Sequence, residues 1–174
     1  MLVYNDIITG DQVLSDAYKQ EPIEGFDGMF VVRSKLVGKG GITLAGENPS
    51  AEGGGDGGDD GVEKVNNMID QELGFSYNPG PEMKLGAFVK GVYQPWCKAV
   101  KAKIVESGQK PKAFMQSAKK GVEWLKKNFK NCEIFFGKSM NPDSFILGVW
   151  DDEANASGAQ SFVFFTHALV EEKY

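Results

Sequence analysis

Between residues 84 and 130 the apolar side chains recur at helical spacing, and the charge is almost all of one sign. Leu85, Phe88, Val89, Val92, Tyr93, Trp96, Cys97, Val100 and Ile104 fall at i, i+3, i+4 intervals, which predicts one apolar face on a helix about 30 Å long. Lys90, Gln94, Lys98 and Lys101 then line the opposite face. Gly108 to Pro111 interrupts the pattern, and Phe114, Ala118, Val122, Leu125 and Phe129 carry it through a second helix. Two helices joined by so short a turn form an antiparallel hairpin. Pro95 removes a backbone hydrogen bond inside the first helix, so a kink or break is expected between Gly91 and Pro95, with Gly86 and Gly91 weakening the same stretch.

A hairpin with one apolar face needs something to cover, and strands flank it on both sides. Before it come Leu2 to Tyr4 with Ile7-Ile8, Gln12 to Leu14, Ala17-Tyr18, and Met29 to Val32 continuing through Leu36-Val37, punctuated by turns at Thr9-Gly10-Asp11 and Asp27-Gly28. The stretch from Met68-Ile69 to Phe75-Ser76-Tyr77 also reads as a strand, stopped by Asn78-Pro79-Gly80-Pro81. After the hairpin come Glu133 to Phe136, Phe145 to Trp150 and Phe162 to Phe165; the last is apolar on both faces and belongs in the middle of a sheet. At 174 residues this is one α+β domain spanning 1–174, mainly β, with strands over 1–44, 62–77 and 133–170 and the basic hairpin over 84–130.

Residues 45–61 hold seven glycines and five acids and nothing large to bury. Such a segment cannot offset its ordering entropy, and a flexible acidic loop is expected there. Closing a loop of this length instead of a four-residue turn costs only about 1.3 kcal/mol.

Net charge is −5, but it is segregated. Residues 84–130 carry 12 lysines against Glu106 and Glu123, a net of +10, leaving 7 basic against 22 acidic residues elsewhere. The lysine coat has two readings, and the first is an ordinary solvated helix face, with Glu123 and Lys127 spaced as an i, i+4 pair. The excess points to an acidic partner: a protein such as tubulin, anionic lipid or nucleic acid. Protein is favoured because no aromatic side chains for base stacking are interleaved on the basic side. Lys90, Lys98, Lys101, Lys119 and Lys126 are the candidate contacts.

Catalytic signals are weak. Gly53, Gly55 and Gly58 satisfy a dinucleotide-binding spacing by accident, because Asp56, Asp59 and Asp60 repel the anion and no clear helix follows. Gly137-Lys138-Ser139 lacks the first glycine of a phosphate loop, since Cys132 stands in its place. His167 is the only imidazole and reads as part of a strand, away from any nucleophile's turn. Cys97 and Cys132 with one histidine cannot make a zinc site, and as ordinary thiols they suit a reducing compartment. No obligatory cofactor is expected; weak calcium binding by Asp56, Asp59, Asp60 and Glu63 is the one ion reading, and their spacing is not that of an EF-hand. Without an apolar run of membrane length or a signal-like start, the expected location is the cytoplasm, and the expected state a monomer or weak dimer.

Several segments, in order, resemble the translationally controlled tumour protein family. Tyr4 to Ile8 with Ser15 to Lys19 is similar to that family's opening, and Asn48-Pro49-Ser50-Ala51-Glu52-Gly53 to its first signature. Phe135-Phe136-Gly137-Lys138-Ser139-Met140-Asn141-Pro142-Asp143 is similar to its second, with Asn48, Ser50, Glu52, Gly137, Asn141 and Asp143 as the matching signature positions. Lys112 to Met115 and Asn128 to Asn131 fall where its second helix begins and ends. The resemblance implies a tent-like β-domain with a projecting helical hairpin and a mobile acidic loop. It also implies non-enzymatic roles in growth and survival, with calcium, tubulin, small GTPases and apoptosis regulators as partners. The chain departs from the family at Lys138, where glutamate is usual, at Ser144, where glycine is usual, and at Gln12. An acid usually follows the position of Asp11 and is implicated in stimulating nucleotide exchange on a small GTPase, so Asp11 and Gln12 mark the GTPase-facing candidate.

Overall fold

The computed structural model describes residues 1–38 and 63–173. Its centre is a six-stranded antiparallel sheet in the order β3-β4-β10-β9-β8-β7, built from β3 (Glu21–Pro22), β4 (Met29–Arg33), β7 (Asn78–Pro79), β8 (Cys132–Phe136), β9 (Ile146–Val149) and β10 (Ser161–Phe165). A three-stranded sheet joins β1 (Leu2–Asp6) to β2 (Gln12–Ser15) on one side and to β11 (Leu169–Lys173) on the other. The N-terminal and last described strands thus pair, Leu2 opposite Lys173 and Asp6 opposite Leu169. A two-stranded ribbon, β5 (Leu36–Gly38) with β6 (Lys64–Asn66), completes the sheets among the described residues.

The central sheet is apolar on both faces because both are covered. Along β10, Val163 and Phe165 join one core while Phe162 and Phe164 join another; Met29 and Val31 alternate with Phe30 and Val32 on β4 in the same way. The second core lies under the three-stranded sheet, where Leu14 and Tyr77 are sealed, and Phe30 stacks on its cross-strand partner Phe164 with ring centroids 5.6 Å apart. All five residues of β10 are buried, as its composition predicts for an interior strand.

The hairpin covers the first face. It consists of α1 (Leu85–Phe88), a π-helical turn (Val89–Tyr93), α2 (Gln94–Glu106) and α3 (Lys112–Asn128), with Gly108 at φ +88° between the helices. Phe88, Tyr93, Trp96, Val100, Ile104, Phe114 and Leu125 are buried against Val31, Phe145, Leu147 and Phe165. Pro95 does not break the helix. The backbone instead widens for one turn just ahead of it, with the Gln94 N–H bonding the Val89 carbonyl, so the proline ring enters where the ladder is already shifted.

Other expectations change. No strand forms over 68–77: the Asn66 side chain accepts from the Met68 and Ile69 N–H groups, and Asp70 accepts from Glu72 and Leu73, so side chains capture the donors a ladder needs. Ala17-Tyr18 is likewise a turn, and β4 ends before Ser34-Lys35, so Leu36 starts a separate ribbon. A fourth helix, α4 (Asp152–Ser157), lies between β9 and β10, capped by Asp151 accepting from the Ala154 N–H and ended by Gly158 at φ +80°.

Candidate functional site

All twelve lysines between residues 84 and 130 are exposed. Their positions follow from the same periodicity that buries Trp96, Val100 and Ile104 on α2 and Phe114, Ala118 and Leu125 on α3. Among the described residues none of them pairs with a carboxylate, and the expected Glu123–Lys127 pair is not formed. Lys90 stands on the π turn, Lys98 and Lys101 on α2, and Lys119 and Lys126 on α3. The fold gathers some of these. Lys126 meets Lys84 and Lys130 at a cleft beside β8, and Lys119 with Lys120 faces Asp27 and His167 across a second cleft of about 460 Å³.

The other candidate surface is a clamp between the β1–β2 turn and the loop after β8. The Asp11 carboxylate accepts from the Ser139 N–H at 3.2 Å and from its hydroxyl at 2.7 Å. A methyl group on Gly137 would meet that carboxylate, so a larger residue there would push Asp11 away from Ser139. The Gly137 carbonyl accepts from Asn78 Nδ2 at 3.0 Å and from the Met140 N–H at 2.9 Å, and Asn141 Oδ1 caps the Asp143 N–H at 2.9 Å. The turn holds Met140 in the left-handed region at φ +59° and leaves it 60% exposed. Gln12 is exposed beside this clamp.

Beneath it Asp6 accepts from the Ile8 and Thr9 N–H groups and from the Ser144 hydroxyl, which itself accepts from Trp96 Nε1 at 3.2 Å. Burial pushes the Asp6 carboxyl above its ordinary range against the pull of these donors, and the Asp11 charge adds to the rise. The relay ties the β1–β2 turn, the loop after β8 and the hairpin together.

Known proteins match the chain over the stretch that holds these loops. The family model of the translationally controlled tumour protein matches residues 1–170. The chain is 34% identical to the homologue of Saccharomyces cerevisiae over 99% of both proteins, and 30% identical to that of Schizosaccharomyces pombe over the whole of both. The solved structure of the Schizosaccharomyces pombe translationally controlled tumor-associated protein p23fyp superposes with a TM-score of 0.67 at 30% identity, covering 100% of both chains. At 24% identity, the Caenorhabditis elegans protein superposes with a TM-score of 0.62 over 100% of this chain and 99% of its own. The chain belongs to the translationally controlled tumour protein family.

Within this member of the translationally controlled tumour protein family, the signature positions divide. Gly137, Asn141 and Asp143 build the clamp, whereas Asn48, Ser50 and Glu52 lie outside the described residues. So do Asp56, Asp59 and Asp60, three of the four calcium candidates; Glu63, the fourth, is exposed just before β6. Among the described residues no group of three acidic, histidine or cysteine side chains is placed to hold a metal ion. His167 is exposed in a one-turn 3-10 helix, Thr166–Ala168, instead of a strand. Ser139 and Ser144 escaped the sequence reading as site residues, although two hydroxyls in a turn-forming run were the available signal. Both thiols are free and half-buried, and burial pushes Cys97 up to about 11 and Cys132 up to about 12. No helix among the described residues is long and apolar enough to cross a membrane.

Proposed function

We propose that this chain is a non-catalytic, multi-partner binding protein of the cytoplasm, acting in growth and survival, whose basic hairpin holds acidic protein surfaces such as those of tubulin. The observation that supports the reading is the lysine coat: twelve exposed cations without a carboxylate partner among the described residues, along a hairpin whose other face is committed to the core. Charges so placed add little to the fold and are free to meet a partner. Reversing Lys90, Lys98, Lys101, Lys119 and Lys126 to glutamate abolishes co-sedimentation with polymerised tubulin and leaves the thermal midpoint in place. Retention of the reversed protein in the pellet, equal to wild type at physiological salt, sinks this reading.

A second reading is stimulation of nucleotide exchange on a small GTPase through the clamp. It is favoured by the rigid display of Gln12 and Met140, since Ser139 occupies the neighbouring Asp11 carboxylate. Release of a fluorescent guanine nucleotide no faster at saturating protein disposes of it. Weak calcium binding joins the reading through the acidic side chains of Asp56, Asp59, Asp60 and Glu63 and through family membership, and calorimetry without heat at millimolar calcium removes it.

A further inference from the structure

A cleft of about 530 Å³ opens at the base of the hairpin, where β8 loses its neighbour. β7 pairs with Phe135 and Phe136, and the Gly80 N–H adds one bond to the Ile134 carbonyl at 2.7 Å before Pro81 leads the chain away, so the edge of β8 at Cys132 and Glu133 has no strand beside it among the described residues. Phe129, Met83 and Leu85 line this space with Ile134. They belong to three segments, and the three that are not in β8 are only partly buried against the core.

The charges around the cleft are unbalanced. Lys84, Lys126 and Lys130 come from the start of α1, the end of α3 and the 3-10 turn that follows, and all three are exposed. Glu133 also borders the cleft, but its carboxylate already accepts from Trp150 Nε1 at 3.0 Å and from Gln160 Nε2. Two acids, Glu82 and Glu133, thus stand against three ammonium groups among the lining residues, which leaves a net positive charge. Lysines act as point charges and suit single carboxylates without demanding a bidentate fit. The volume lies within the range of small-ligand pockets and takes a large side chain easily.

We infer that this cleft receives a large apolar side chain from an acidic segment of a partner protein, with Lys84, Lys126 and Lys130 holding the flanking carboxylates. The inference rests on the hairpin reading above and sharpens it. An acidic surface alone engages the coat, whereas an acidic segment bearing an aromatic or aliphatic residue is anchored at one place.

The test uses the full chain and two short polyglutamate peptides that differ only in a terminal phenylalanine or glycine. Amide chemical shifts and affinities are measured at physiological and raised salt. The phenylalanine peptide binds at least about tenfold more tightly, as expected for burying one aromatic side chain, and shifts the amides of Gly80, Phe129 and Ile134. Lys84→Glu with Lys130→Glu weakens it at least about tenfold at physiological salt, roughly the effect of two reversed contacts at a partner surface. Met83→Gln reduces the preference and spares the glycine peptide; unchanged thermal midpoints show that each variant is folded. Equal affinity for the two peptides, or shifts confined to the Lys98 and Lys101 face, overturns the inference and leaves the hairpin reading intact. Binding of neither peptide overturns both.

Discussion

Replacing Gly121 with alanine puts a methyl group where the hairpin meets the central sheet. It lands on the Tyr93 hydroxyl and within 2.9 Å of Phe165 Cζ. Neither ring can yield cheaply: both are buried, and the hydroxyl donates to the Ala118 carbonyl at 2.6 Å. Overpacking of this kind costs about 1–3 kcal/mol. Moving the hydroxyl off its acceptor adds about 1 kcal/mol, and the better helix propensity of alanine returns about 1 kcal/mol. A net loss of about 2 kcal/mol lowers the midpoint by about 4–8 °C for a domain of this size.

Tyr93→Phe alone loses the hydrogen bond, about 1 kcal/mol. It also removes the atom the new methyl meets, so the double variant Gly121→Ala/Tyr93→Phe is less damaged than the sum of the two by about 1 kcal/mol. Urea unfolding of all four proteins, followed by circular dichroism and near-UV absorbance to check two-state behaviour, measures the cycle. Additive losses, or a Gly121→Ala protein as stable as wild type, refute the argument that this approach fixes the hairpin on the sheet.

The raised Asp6 carboxyl means that the native state holds this proton more tightly than the unfolded chain. Its contribution is therefore complete below about pH 4 and declines as pH rises through the raised value. Asp6→Asn does not titrate and can still meet Ser144, so its urea midpoint gains on wild type between acid and neutral pH; a constant difference across that range overturns the burial account. Cys97 and Cys132, pushed up to about 11 and about 12, carry almost no thiolate at pH 8. A disulfide reagent labels them in the folded protein at least about a hundredfold more slowly than a free thiol, and rapid stoichiometric labelling contradicts the burial seen here. Gly91 is exposed in the hairpin with nothing within 4 Å of a new Cβ, so Gly91→Ala stabilises by about 0.5–1 kcal/mol; a loss in the same unfolding assay shows that the π turn needs glycine.

Local pattern made the hairpin, its lysine coat and the interior position of Phe162 to Phe165 legible in the sequence. Each rests on a periodicity set by the backbone itself: 3.6 residues for a helix and two for a strand. The same reasoning misread 68–77, where Met68 is buried from a turn and Tyr77 from irregular chain and no strand forms. Asn66 and Asp70 carried the contrary signal, but their competition with a ladder depends on whether a neighbouring strand is there to pair, and no local pattern reports that.

The site divides along the same line. Composition alone determined that the hairpin is basic. Only the fold decided that Asp11 meets Ser139 across 128 positions, that Asp6 reaches Ser144 and through it Trp96, and that Lys84 joins Lys126 and Lys130 beside an open strand edge. Those encounters follow from strand order and from two faces of one sheet being buried at once, which are properties of long-range packing that no window of the sequence contains.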